Sequence, residues 1–232
     1  MGRGHDDYDT EPIRGLPALP PDGEHILWQG APDWKVLALS AFHVGTVAAY
    51  FAALMVWRGA ISYTPEGGVL SAAVSALSLV PFAVAAIAVL AGLAWLSSRT
   101  SVYTITTRRV VFRIGIALPA AINIPFRAID SAALRPRLAG TGDIPLTLKG
   151  PERVGYVNFW PHVRPWRLAR PEPMLRAVPK AREVATLLAQ ALRRASLETA
   201  AKESAAQEAA AGAETDKPHG QVPAAMAASA AA

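Results

Sequence analysis

Two uncharged apolar runs constrain this chain more than any other feature. The first, VLALSAFHVGTVAAYFAALMVW, covers residues 36–57, and the second covers residues 69–96; neither contains Asp, Glu, Lys or Arg. They are 22 and 28 residues long, and a helix rising about 1.5 Å per residue crosses a hydrocarbon core of about 30 Å in roughly 20 residues. The pattern predicts a membrane α-helical hairpin, two transmembrane helices joined by a short loop at residues 58–68. An apolar stretch that starts only at Val36 and runs this long does not read as a secretory signal peptide.

Charge is segregated around the hairpin. Residues 1–35 carry a net −4, residues 36–98 carry none, residues 99–197 carry +12, and residues 198–232 carry −3. Close to the span ends, Lys35 precedes the first run and Arg99, Arg108, Arg109 and Arg113 follow the second, whereas the loop holds Arg58 alone. Positive charge is retained on the cytoplasmic side, so both termini are expected in the cytoplasm, with the loop outside. Trp34, Trp57 and Trp95 stand at the ends of the runs, where amphipathic rings settle at headgroup level. The chain has no cysteine, which excludes disulfides, thiolate nucleophiles and thiolate metal sites.

Residues 1–21 are acidic and rich in Pro and Gly, without apolar periodicity, and are expected to be disordered. The pre-membrane segment, residues 22–35, places Ile26, Leu27 and Trp28 between turn signals; it suits a strand packed on the later domain or an interfacial linker. Beyond residue 99 the pattern becomes β. SVYTITT and RVVFRIG form a tight hairpin, and further strand candidates fall at residues 121–126, 131–134, 144–148 and 154–159. A 3.6-residue repeat of Val184, Leu187, Leu188, Ala191 and Leu192 predicts a C-terminal capping helix. Residues 99–197 thus read as a small β-rich domain, and the Ala-rich residues 198–232 as a disordered tail.

Within the hairpin, Ala41, Gly45, Ala49 and Ala53 recur every four residues, and Ala72, Ala76, Ala88 and Gly92 answer them. Small residues let helices approach closely in lipid, so these stripes are expected to be the internal contact. Pro81 is expected to kink the second helix. His43, the ionisable residue inside the runs, then points outward with Val36, Val47, Tyr50, Leu54 and Trp57. Three roles remain open for it: a hydrogen bond to a partner helix, coordination of a pigment magnesium such as that of bacteriochlorophyll, or a bond to a carbonyl or Ser40 in its own hairpin.

No phosphate-binding glycine loop is present, and the five histidines lack metal-ligand spacing. Asp130, Asp143 and Glu152 sit in turn contexts. An enzyme is not expected, and neither a metal nor a resident cofactor is called for. The stretch WPHVRPWRLARPEPMLR interleaves Trp160 and Trp166 with Arg164, Arg167 and Arg170, a composition suited to anionic lipid of the cytoplasmic leaflet or to an acidic partner. Nucleic acid also suits such a stretch, but an anchor that holds the domain beside lipid argues against it.

VYTITTRRVVFRIGIALP followed by INIPFRAI resembles the bacterial pleckstrin-homology-like domain, with its Tyr-x-x-Thr-x-x-Arg strand pair and glycine turn. Together with LPPDGEHILWQGAPDW before the hairpin and GTGDIPLTLKGPERVGYVNFWPHVRPWRLARPEPMLRAVP after it, the chain is similar to the PuhB-like family of photosynthetic-complex assembly proteins of purple bacteria. The resemblance implies two sheets capped by a helix and no catalytic residues. It also implies a membrane-bound assembly factor for the photosynthetic reaction centre, with a linked effect on the core light-harvesting complex. Reaction-centre and core antenna subunits are the implied partners, with a second copy of the chain left open, in the intracytoplasmic photosynthetic membrane. Antenna helices place a small residue four positions before a pigment-ligating His; here that position is Leu39, which weakens the pigment role. The alternative is a membrane-tethered lipid-binding module unrelated to photosynthesis.

Overall fold

The computed structural model describes residues 13, 15–16, 18–115, 120–149, 159–167 and 171–215. Strand β1 (Ile26–Gly30) comes first, followed by helices α1 (Trp34–Ser40), α2 (Val44–Ile61), α3 (Gly68–Leu77) and α4 (Val80–Thr100). Strands β2 (Val102–Thr106), β3 (Arg109–Ile114), β4 (Ala120–Pro125), β5 (Ile129–Ala132), β6 (Arg135–Pro136), β7 (Gly142–Leu148) and β8 (Met174–Val178) follow, and helix α5 (Ala181–Thr215) closes the order.

The antiparallel order β1-β2-β3-β4 makes one sheet; in the second, β7 pairs with β5, β6 and β8. Of the two readings of the pre-membrane segment, the strand is realised: Trp28 faces Ile105 and Gln29 faces Thr104 across the β1–β2 ladder. The helical hairpin is therefore an insertion between two paired strands rather than a leader in front of a domain. The core between the sheets holds Tyr103, Ile105, Val110, Phe112, Leu146 and Leu175. Helix α5 buries Val184, Leu188 and Ala191 against it, and burying a leucine stabilises the fold by about 1.5–3 kcal/mol. Gly142 lets that helix start close to β7: a Cβ there would stand 2.7 Å from Cβ of Ala181 and 2.9 Å from the Arg135 carbonyl oxygen.

The chain divides into two units, residues 1–195 and 196–232. Helix α5 runs to Thr215, so the start of the expected disordered tail is helical; residues 216–232 lie outside the described residues. So do residues 1–12 and residues 154–158 of the strand expected at 154–159, whose last residue, Phe159, is buried in the core in a helical turn. Leu16 is buried and its amide bonds to the Ile13 carbonyl, so the end of the segment expected to be disordered is packed. Strand β8, MLRAV, was not expected, because a central arginine breaks its apolar alternation.

The hairpin departs from expectation in three ways. The first apolar run does not form one helix: Leu37, Ala38 and Phe42 are buried beside Ala94 and Ala177, and the chain breaks between α1 and α2 at His43, which is left-handed with φ 54°. Apolarity cannot separate a segment facing lipid from one facing a core, which is why residues 36–57 read as continuous. The second run breaks at Ser78–Leu79, and Pro81 enters at the first turn of α4 rather than kinking its interior. Thirdly, the small stripe of α2 is not its packed side. Val47, Phe51 and Leu54 are half-buried, whereas Gly45, Ala49 and Ala53 are exposed, and His43, Tyr50 and Trp57 are exposed as expected.

On the other arm Ala72 and Ala76 are half-buried, but Ala88 and Gly92 are exposed. The close approach occurs instead at Gly59, where a Cβ would meet the Ala72 carbonyl oxygen and Cβ of Ala76, each at 3.5 Å. Four-residue spacing identified a stripe; it did not say which stripe packs.

By length and composition, two segments are apolar enough to cross a membrane, Val44–Ile61 and Gly68–Thr100. The 18 residues of the first reach about 27 Å and the 33 of the second about 50 Å. The second overshoots the first, and its end, where Ala94 and Ser97 are buried, packs on α1.

Candidate functional site

A buried polar cluster stands where the hairpin enters the domain. Ser97 and Ser101, one helical turn apart at the end of α4, approach His162 Nε2 at 3.5 and 3.0 Å. On the other side of the ring, the Tyr103 hydroxyl lies 2.6 Å from Nδ1 and accepts the Arg176 backbone N–H at 3.2 Å. The phenol has Nδ1 as its acceptor, so Nε2 carries the ring proton and donates it to the Ser101 hydroxyl. His162 is 1% exposed, and burial together with the Arg176 cation lowers its pKa to about 3. Burial raises the Tyr103 pKa above its ordinary value. Both rings are neutral across the physiological range.

Arg176 carries the charge in this cluster. Its Nη1 donates to the Pro161 carbonyl at 2.7 Å and Nη2 to the Ser40 carbonyl at 2.8 Å, so one guanidinium ties β8 to the loop before His162 and to the end of α1. Terminal carbonyls of a helix carry partial negative charge, which suits a buried cation. Nearby, the Asp143 carboxylate accepts the Ala177 N–H at 2.9 Å, and the Ala177 carbonyl accepts the Asp33 N–H at 2.8 Å. That chain of bonds holds Ala177 at φ 50° and secures the N-cap of α1. Ser, His and Tyr at hydrogen-bonding distance look like a proton relay, yet the ring is closed to solvent and is a poor base. What the arrangement does is lock the base of the hairpin to the sheets.

The residues expected to form a site are dispersed. His43 and Tyr50 are exposed and two turns apart, hence on one side of the helical hairpin. His43 Nδ1 lies 3.0 Å from the Ala41 carbonyl, so it donates there, and in the neutral ring Nε2 is left as an acceptor. The bond to a carbonyl in its own hairpin is thus made, without using the outer nitrogen. Trp160 stacks edge-on against Phe42 at 5.4 Å, which brings the basic stretch to the α1–α2 break.

Arg164 and Arg167 both pair with Glu172, at 2.7 and 3.2 Å, so their charge is partly spent inside the protein rather than offered to lipid. Trp166 is 94% exposed at φ 65°, and Arg170 lies outside the described residues. Asp143, expected to be a turn former, is instead buried and bonds Arg137 and Ala177.

His162, Tyr103 and Arg176 were not singled out from the sequence, although all three lie in the quoted motifs. The Tyr-x-x-Thr-x-x-Arg pattern now has a physical account. Tyr103 holds His162, and Thr106 braces the β2–β3 turn by accepting the Arg108 and Arg109 N–H groups. Arg109 clamps the buried Glu24 at 2.9 Å.

The bacterial PH domain family model matches residues 36–192. The chain belongs to that family. It is also similar to an uncharacterized 23.7 kDa protein in the puhA 5′ region of Rhodobacter capsulatus, 37% identical over 186 residues, which cover 80% of this chain and 87% of that protein. No solved structure matches. The family match begins within α1, takes in the helical hairpin and the strands that follow it, and ends within α5.

Proposed function

We propose that this bacterial PH domain protein is a membrane-tethered, non-enzymatic assembly factor for the photosynthetic reaction centre, with a linked effect on the core light-harvesting complex. The likeness along most of its length to a protein of the puhA 5′ region carries the reading. It agrees with the resemblance of the flanking motifs to photosynthetic-complex assembly proteins.

In this reading α2 and the α3–α4 arm lie in the inner membrane. The pairing of β1 with β2 supports a common side for the two ends of the hairpin, and the arginines after α4 favour the cytoplasm. The His43 and Tyr50 side faces a reaction-centre or antenna helix, with His43 Nε2 as an acceptor or, in a lesser role, a pigment contact. The buried junction keeps the hairpin in fixed register with the domain, so that contact in the membrane and contact at its surface act as one body. The lipid-module alternative has less support, because Arg164 and Arg167 already share Glu172.

Deleting the gene in a phototrophic host is expected to lower the reaction-centre absorption bands of isolated membranes, and re-expression to restore them. Unchanged bands in the deletion strain would sink the assembly reading.

A further inference from the structure

We propose that a notch at the base of the hairpin, between α1 and the turn that joins β6 to β7, seats one anionic membrane phospholipid. The inference rests on the reading that the hairpin lies in a bilayer. The notch has a volume of about 340 Å³ and is lined by Val36, Leu39, Ser40, Pro136, Arg137 and Leu138. That is the low end of the range of about 300–1,000 Å³ for small-molecule clefts, suited to one chain and the neck of a headgroup rather than to a whole lipid.

Three features of the lining specify the occupant. Leu39 and Leu138 are 53% and 75% exposed, so the walls are apolar and open. The Leu138 wall is stiff. Thr141 donates both its N–H and its hydroxyl to the Leu138 carbonyl, at 3.1 and 2.7 Å, while the Arg137 N–H bonds the Thr141 carbonyl at 2.8 Å. A leucine on a braced turn is presented outward rather than folded away.

At the inner end, the Ser40 hydroxyl is buried without a hydrogen-bond partner among the described residues. A buried donor left unpaired is unfavourable, and an ester or phosphate oxygen would satisfy it. Charge lies close by. Arg137 lines the notch and is largely compensated by Asp143 at 2.8 Å, and the exposed Arg135, next to the lining Pro136 in the chain, adds a cation outside the lining itself.

An apolar chain, an oxygen acceptor and an anionic group in that order describe an anionic phospholipid. The location agrees. Helix α1 is separated from α2 by three residues, so the notch opens at the level where the apolar hairpin ends. Trp34 with Lys35 and Trp95 with Arg99 form cation–π pairs on α1 and the end of α4, an aromatic and basic combination that favours the headgroup layer.

The cysteine-free chain allows single nitroxide labels on the full-length protein in vesicles containing phosphatidylglycerol. Labels at Val56→Cys on α2, Leu138→Cys at the notch and Ser131→Cys on β5 are read by collision with oxygen or with a water-soluble nickel chelate. Lipid contact at positions 56 and 138, with an aqueous signal at 131, is expected. Position 56 in lipid with 138 in water would overturn the notch and leave the membrane reading standing; both in water would overturn both. Label-to-label coupling at 138 would put a second copy there in place of lipid.

Retention of phospholipid through purification, counted by native mass spectrometry, tests the seat itself. Ser40→Leu keeps the carbonyl used by Arg176 and fills the notch, and Arg135→Gln removes the nearby charge. Loss of one bound phosphatidylglycerol in the first and weakened retention in the second are expected; undiminished retention in both would overturn the proposal.

Discussion

The molecule treats its polar groups in opposite ways at two places. At the junction, Tyr103, His162, Ser101 and Arg176 are fully inside and bonded to one another or to backbone carbonyls. At the start of α2 and along it, His43 and Tyr50 stand outside, and the ring of His43 spends one nitrogen on the Ala41 carbonyl, two residues back. Polar groups sealed inside specify geometry, because leaving any of them unpaired is strongly unfavourable. Polar groups on the outside of an apolar helix do nothing for the fold and are free to specify a partner. The comparison separates residues that hold the protein together from residues that give it something to do, and each side of it can be tested.

The largest effect is expected at Arg176. Replacing it with Met leaves the Pro161 and Ser40 carbonyls buried without donors, at about 1–3 kcal/mol each. A loss of roughly 3–5 kcal/mol in all corresponds to a drop of about 10 °C in the melting temperature of a chain this size. Thermal melting of the detergent-solubilised protein reads this directly. Tyr50→Phe, on the exposed side, is the paired control and should move the midpoint by less than about 1 °C. If Arg176→Met melts with the wild type, the junction is not what holds the hairpin in place.

Such an arginine was hard to see in the sequence. PEPMLR was read as the end of a basic stretch, since an arginine inside a five-residue strand looks like surface. Its two acceptors, Ser40 and Pro161, lie 136 and 15 residues away, and no local pattern announces them. Tyr103, Thr106 and Arg109, by contrast, were legible as a motif through their short, regular spacing rather than through their contacts, since Thr106 alone acts within the β2–β3 turn while Tyr103 reaches His162 and Arg109 reaches Glu24. The strands and the capping helix were legible for the same reason: alternation and the 3.6-residue repeat are local signals. The division of the apolar run at His43 was not, since α1 and α2 are equally apolar and differ only in what covers them.

An intermediate effect is expected from acid. His162 titrates near 6.5 in the unfolded chain and is held to about 3 in the folded one. Between those values the unfolded state binds the extra proton, so stability is fully present above about pH 6.5 and falls as pH drops through that window. At pH 5 the loss is about 2 kcal/mol by the relation of about 1.4 kcal/mol per pH unit. Denaturant titrations at pH 7 and pH 5 should show the difference. His162→Phe, though less stable at pH 7, should lose much of this acid-dependent slope; an unchanged slope would assign the acid sensitivity to other groups.

The smallest effect on stability, and the most informative for function, belongs to His43. Its left-handed backbone is a conformation that Asn adopts at little cost and Leu does not, so the two substitutions separate the ring from the backbone. His43→Asn should change the melting midpoint by less than about 1 °C, while His43→Leu should cost about 1–2 kcal/mol because a leucine is strained there. Neither touches the buried junction, so both proteins are expected in the membrane at wild-type amounts, as immunoblotting would show. If Nε2 meets a reaction-centre or antenna helix, reaction-centre absorption falls in both variants despite their different stabilities. If only the break between α1 and α2 matters, the Asn variant supports full assembly and the Leu variant alone is impaired. Full assembly with both would remove His43 from the contact and leave the exposed Gly45, Ala49 and Ala53 stripe as the side of α2 to test next.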